Sequence, residues 1–91
     1  MIEAYALVEA QLGRAGEIEH RLEEFEEVLH ADLVTGCYDV LARVRADSIE
    51  ELVEIEARMK DVEGVTRVLM CPVTHPVEAA HRGWVPLHAA V

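Results

Sequence analysis

Aromatic residues are scarce in this chain: one Trp, two Tyr and one Phe among 91 positions. A core built on stacked rings is excluded, so a hydrophobic interior must be aliphatic. Positive charge is scarce too. Eight Lys and Arg stand against eighteen Asp and Glu, a formal net charge of −10 with His neutral. Such a surface repels phosphate backbones, and direct nucleic-acid binding is not expected. No apolar run reaches the ~18 residues of a membrane span. Met1-Ile2-Glu3 lacks the basic segment that opens a secretory signal. The only cysteines, Cys37 and Cys71, are too few for a disulfide framework, and reduced thiols in a cytoplasmic protein are expected. Phosphate loop, nucleophile elbow and paired catalytic carboxylates are all missing. All three prolines lie at position 72 or beyond, so nothing breaks the elements before that point.

What is present is aliphatic. Hydrophobic residues make up 52% of the chain, mostly Val, Leu, Ile and Ala. A chain of this length forms one domain and buries roughly 60–65% of its unfolded surface. The surplus implies an apolar face left for a partner subunit.

Ile2 to Ala10 reads as a first strand, with Ile2, Ala4, Ala6 and Val8 on one face and Tyr5 and Leu7 on the other. Both faces are apolar at the centre, so both want cover. Gly13 supplies the turn that follows. Arg14 to about Glu26 reads as a helix with Ile18, Leu22 and Phe25 as its stripe, and Glu17 and Arg21 as an i, i+4 pair. The acids at 19, 23, 24, 26 and 27 form a solvated face. Val28 to Val34 is a second strand, its alternation placing Val28, His30, Asp32 and Val34 on one face and Leu29, Ala31 and Leu33 on the other. The half-polar face marks an edge strand. The third strand runs from Tyr38 or Asp39 to Ala46, with Val40, Ala42 and Val44 inward and Arg43 and Arg45 outward. Ser48 with Glu51 forms a capping box that opens a second helix. Its stripe is Ile49, Leu52, Ile55, Met59 and Val62, and Gly64 closes it. Val65 to Cys71 is the fourth strand, with Pro72 expected to weaken further pairing. Residues 1–72 thus form the domain and 73–91 a tail, in which 76–83 could make one short helix, Pro first and Gly last.

Strand, helix, strand, strand, helix, strand is the order of the split βαβ, ferredoxin-like α+β fold. Right-handed crossovers place four antiparallel strands in one sheet with both helices on one face. The simplest cover for the other face is a second copy, sheet against sheet.

The candidate site is the stretch Thr35-Gly36-Cys37-Tyr38-Asp39. Gly36 is the expected pivot, since only Gly takes positive φ without steric cost. An aromatic and a carboxylate beside a glycine turn suit a small-molecule site. They suit an ordinary hairpin with a packed Tyr and a solvated Asp as well.

Val28-x6-Thr35-Gly36-x-Tyr38-Asp39, followed by a capped helix and Val62-Glu63-Gly64-Val65-Thr66-Arg67, resembles the effector (RAM) domain of the Lrp/AsnC transcription regulators, over roughly Ile2 to Cys71. The family's regulators carry an N-terminal helix-turn-helix domain. Here the first strand begins at Ile2, which fits a stand-alone form acting without its own DNA-binding domain, or beside a DNA-binding regulator of the same family. The resemblance implies dimers formed through the sheets, rings of dimers, and an amino acid or related effector bound near the turn. Carried over, Thr35, Gly36, Tyr38 and Asp39 are the ligand-binding residues, with no catalysis and no cofactor. Physically, exposed backbone N–H groups would hold the effector's carboxylate, Asp39 its ammonium, and Tyr38 would close the pocket.

Three alternatives stay open. An ACT-like regulatory domain shares the element order and uses a glycine turn where Gly13 stands. A dimeric α+β barrel enzyme, of monooxygenase or isomerase type, needs polar groups between sheet and helices, and only His30, Asp32 and Tyr5 offer themselves. A metal site could draw on Cys71, His75, His81 and His88, of which Cys71-x3-His75 has workable spacing, though no second Cys is near.

Overall fold

A computed structural model of the chain describes residues 1–73. The expected short helix at 76–83 and the histidines at 75, 81 and 88 lie outside these residues. The six expected elements are present: β1 (Ile2–Ala10), α1 (Ala15–Glu23), β2 (Val28–Leu33), β3 (Val40–Ala46), α2 (Ile49–Lys60) and β4 (Val65–Pro72). They form one antiparallel sheet in the order β2-β3-β1-β4, the ferredoxin-like α+β arrangement.

The register decides which face each residue takes. Ala4 pairs with Val44, Ala6 with Ala42 and Val8 with Val40 across β1 and β3, and Val68 sits opposite Val8 on β4. Cross-strand partners share a face. Together with Ile18 and Leu22 of α1 and Leu52, Ile55 and Met59 of α2, these residues make a buried aliphatic core. No polar or charged side chain is buried among the described residues. The small residues Ala4, Ala6 and Ala42 let both helices lie close on the sheet.

The opposite face carries Tyr5, Leu7, Leu41, Arg43, Leu69 and Cys71, again as cross-strand partners. Nothing among the described residues covers it: Leu69 is 43% exposed, and Tyr5, Leu7, Leu41 and Cys71 are half-buried. The sheet has the two apolar faces that the alternation of β1 implies.

Several expectations need correction. Helix α1 is shorter than Arg14–Glu26: Arg14 is its N-cap residue and the helix stops at Glu23, where the Glu24 N–H donates to the Arg21 carbonyl (3.2 Å) and the Phe25 N–H to the Leu22 carbonyl (3.1 Å). Glu17 pairs with Arg14 (2.9 Å), not Arg21, and Arg21 reaches Glu24 instead (3.6 Å). The short contact with Arg14 holds the Glu17 carboxyl below its usual pKa.

In β2 a bulge lies between Val28 and His30, where the register slips by one. Val28 therefore faces the core with its partner Val44, whereas His30, opposite Arg43, faces the open side. An inserted residue breaks period-two reading at that point. The edge position of β2 is as expected. On β4, Pro72 does not end the pairing. It lies in the strand opposite Ala4, and the Val73 N–H still donates to the Glu3 carbonyl (2.8 Å). Alternate residues of an antiparallel edge strand point their N–H outward, and Pro72 takes such a position. A further correction, at the start of β3, belongs to the site.

Candidate functional site

The connection between β2 and β3 is the six-residue stretch Val34–Asp39, and β3 begins at Val40, not at Tyr38 or Asp39. The reason is Asp39, whose backbone N–H donates to the Val8 carbonyl (2.9 Å) and whose carbonyl accepts from the Val34 N–H (2.9 Å). Its carboxylate Oδ2 accepts from the Ala10 N–H (2.8 Å). One residue thus ties the connection both to its own strand and to the end of β1. Gly36 has φ +117°, the conformation foreseen for it.

Pinned at its base, the loop leaves Thr35, Gly36 and Cys37 exposed. Among the described residues, the N–H groups of these three and of Tyr38 donate to no protein acceptor. Tyr38 is half-buried, with the Arg67 guanidinium of β4 over its ring at 5.9 Å. Arg67 pairs across the sheet with Glu9, and Thr66 Oγ1 donates to the Glu9 carboxylate (2.7 Å). The tip is a row of free backbone donors on a rigid base, bordered by a phenol, a guanidinium and two carboxylates. Four of the named residues, Thr35, Gly36, Tyr38 and Asp39, share this one connection. Arg67 and Glu9 join them through strand pairing, which no local sequence signal reveals.

A second cluster lies on the open sheet face. Arg43 Nε donates to Glu3 Oε1 (2.8 Å) and Arg43 Nη1 to Tyr5 Oη (2.7 Å), with the guanidinium over the Tyr5 ring at 5.0 Å. The hydrogen bond to Glu3 raises the Arg43 pKa above its usual value. Nearby, His30 Nε2 and Asp32 Oδ1 lie 2.9 Å apart on the exposed edge. Tyr5, His30, Asp32 and Arg43 line one shallow depression with Leu29 and Leu41. The three residues weighed for an enzyme do meet, but on the open face. The space between sheet and helices, where that reading needed them, is wholly aliphatic. No group of three His, Cys, Asp or Glu among the described residues is placed to hold a metal ion. Among those residues, no helix is long and apolar enough to cross a membrane.

Comparison with known proteins gives the site its context. The family model for the Lrp/AsnC ligand binding domain matches residues 3–80. The chain belongs to this family. No curated protein matches it. Among solved structures, TTHA0845 from Thermus thermophilus shares 29% identity at a TM-score of 0.78, over 82% of this chain and 95% of that one. AsnC from E. coli shares 17% identity, with a TM-score of 0.76, over 81% of this chain and 51% of its own. The feast or famine regulatory protein Rv3291c from M. tuberculosis, solved in complex with L-methionine, shares 22%, with a TM-score of 0.71 over 82% and 51%. At those last two identities the likeness establishes the fold alone. This Lrp/AsnC domain spans nearly all of TTHA0845 and about half of the two regulators. A regulatory, effector-binding domain is the description that family and fold support together.

Proposed function

We propose that this domain binds a free amino acid, or a closely related zwitterion, at the Val34–Asp39 connection, and that a second copy completes the site. The observation that carries this is the set of unpartnered backbone N–H groups at Thr35, Gly36 and Cys37, held on a base fixed by Asp39. Successive free N–H groups around a glycine in left-handed conformation make a concave anion site suited to a carboxylate. Asp39 Oδ2 is committed to Ala10. The ammonium would take the second carboxylate oxygen, and Tyr38 and Arg67 would border the effector's side chain. L-methionine bound to Rv3291c supports the ligand class. The pocket wall comes from a neighbouring subunit, since the loop tip is open among the described residues. Dimers form through the open sheet face, whose Leu7, Leu41 and Leu69 need cover, and rings of dimers bring loops together. On this reading the domain senses and does no chemistry, signalling by a change in assembly to a transcription regulator.

The test is thermal-shift screening against the twenty amino acids. A ligand at a hundred times its Kd stabilises the native state by about 2.7 kcal/mol, so one or a few amino acids are expected to raise the melting temperature. No shift with any of them removes free amino acids as the effector class.

A further inference from the structure

Away from the loop and the open face, Ile49, Leu52, Val53, Glu56, Met70 and Pro72 line a groove between α2 and the edge strand β4. Ile49 and Val53, one helical turn apart, are 52% and 64% exposed. Isolated exposed aliphatics need no explanation. These two continue into half-buried Met70 and into Pro72, a contiguous strip of the kind that marks a contact surface.

The chain leaves the described residues at this strip. Pro72 forms part of the groove wall, and the Val73 N–H is anchored to Glu3. Eighteen residues follow. The groove spans about two turns of α2, on the order of 10 Å at ~1.5 Å per residue, and an extended segment covers that with a few residues. A segment that starts at the groove reaches it at little loop-closure cost. Its composition fits. Residues 74–91 include Val77, Trp84, Val85 and Leu87, with one acid, Glu78, and one permanent base, Arg82. The whole net charge of −10 therefore falls on residues 1–73. Glu56 is in the groove wall, and α2 also carries Glu50, Glu51 and Glu54. A segment of no net charge adds no repulsion to that surface, and its Arg82 offers the acids one cation.

We propose that residues 74–91 dock within the same chain onto the α2/β4 groove, with Trp84, Val85 and Leu87 over Ile49 and Val53 and with Arg82 against the acids of α2. The test uses the full chain, because Trp84 is its sole Trp and its fluorescence reports one environment. Val53→Glu and Ile49→Glu put a good helix former at exposed helical positions, so the fold survives them, which circular dichroism checks. The expected result is a shielded, blue-shifted Trp84 in the parent protein, and in both variants a red shift with greater access to a soluble quencher. Leu12→Glu, an exposed site at the other end of the sheet, should leave the emission unchanged. A parent emission already that of a water-exposed indole overturns the proposal, as does one indifferent to Val53→Glu. A blue shift that rises with protein concentration assigns the cover to a second copy and overturns docking within one chain.

Discussion

Gly36 and Gly64 both hold positive φ, +117° and +95°, but in different surroundings. A Cβ on Gly36 would meet nothing within 4 Å; on Gly64 it would lie 3.1 Å from Ile18 Cδ1 and 3.2 Å from the Arg14 guanidinium carbon. Gly36→Ala should therefore cost only backbone strain, about 1–2 kcal/mol. Gly64→Ala should cost more, because the Ile18 end must also move. Denaturant titration of the two variants checks the order, and equal losses would contradict it. Asp39 is the other decisive residue. Its carboxylate accepts the Ala10 N–H, so Asp39→Asn exchanges a charge-assisted bond for a neutral one and should lower stability by about 1 kcal/mol. If the second oxygen also holds the effector's ammonium, affinity falls about tenfold or more in calorimetry. Unchanged affinity in the folded variant leaves Asp39 as a loop anchor alone. The conformation of Gly36 was readable in the sequence, since it depends on the absence of one atom. The anchoring of Asp39 was not, because its partner lies 29 positions away and no local pattern records it.

At the scale of elements, local signals told most where local chemistry decides. The Ser48 cap is present: Ser48 Oγ accepts from the Glu51 N–H (3.1 Å), while the Glu51 carboxylate accepts from the Asp47 N–H (3.2 Å) in place of the Ser48 N–H of a full capping box. Ser48→Ala should cost about 1 kcal/mol, measurable by thermal melting, with a loss below a few tenths contradicting the cap. Helix α1 has no side-chain cap, and both its ends were misplaced; α2 also stops short of the expected Val62 and Gly64, at Lys60. The bulge in β2 was invisible because alternation assumes that every residue pairs. The extent of β4 was misjudged because Pro72 was weighed without knowing which way its missing N–H points.

At the scale of the molecule, the element order was legible in the succession of periodicities along residues 2–72, and the two-faced sheet in the alternation of β1. The cluster of Arg43, Glu3 and Tyr5 was not, since it needs the β1–β3 register. The open face leads to a firm expectation about assembly. Leu69 is partly exposed in a single chain, so Leu69→Glu should spare the monomer fold. In a two-fold sheet-to-sheet interface the substitution counts twice, with an apolar loss of roughly 1.5–3 kcal/mol per leucine. Light scattering should show a dimer or larger assembly for the parent and a shift towards monomer for the variant. A parent that stays monomeric at micromolar concentration would contradict the assembly on which the binding site depends.

The central claim is that the free backbone donors of the Val34–Asp39 connection receive the effector. Amide chemical-shift mapping tests it most directly, by titrating the protein with an amino acid that raises its melting temperature. Saturable changes are expected to be greatest at Thr35, Gly36, Cys37 and Tyr38, with smaller ones at Ala10 and Arg67, which the connection touches. Saturable changes centred instead on the depression formed by Tyr5, His30, Asp32 and Arg43, with the loop amides unmoved, would contradict it.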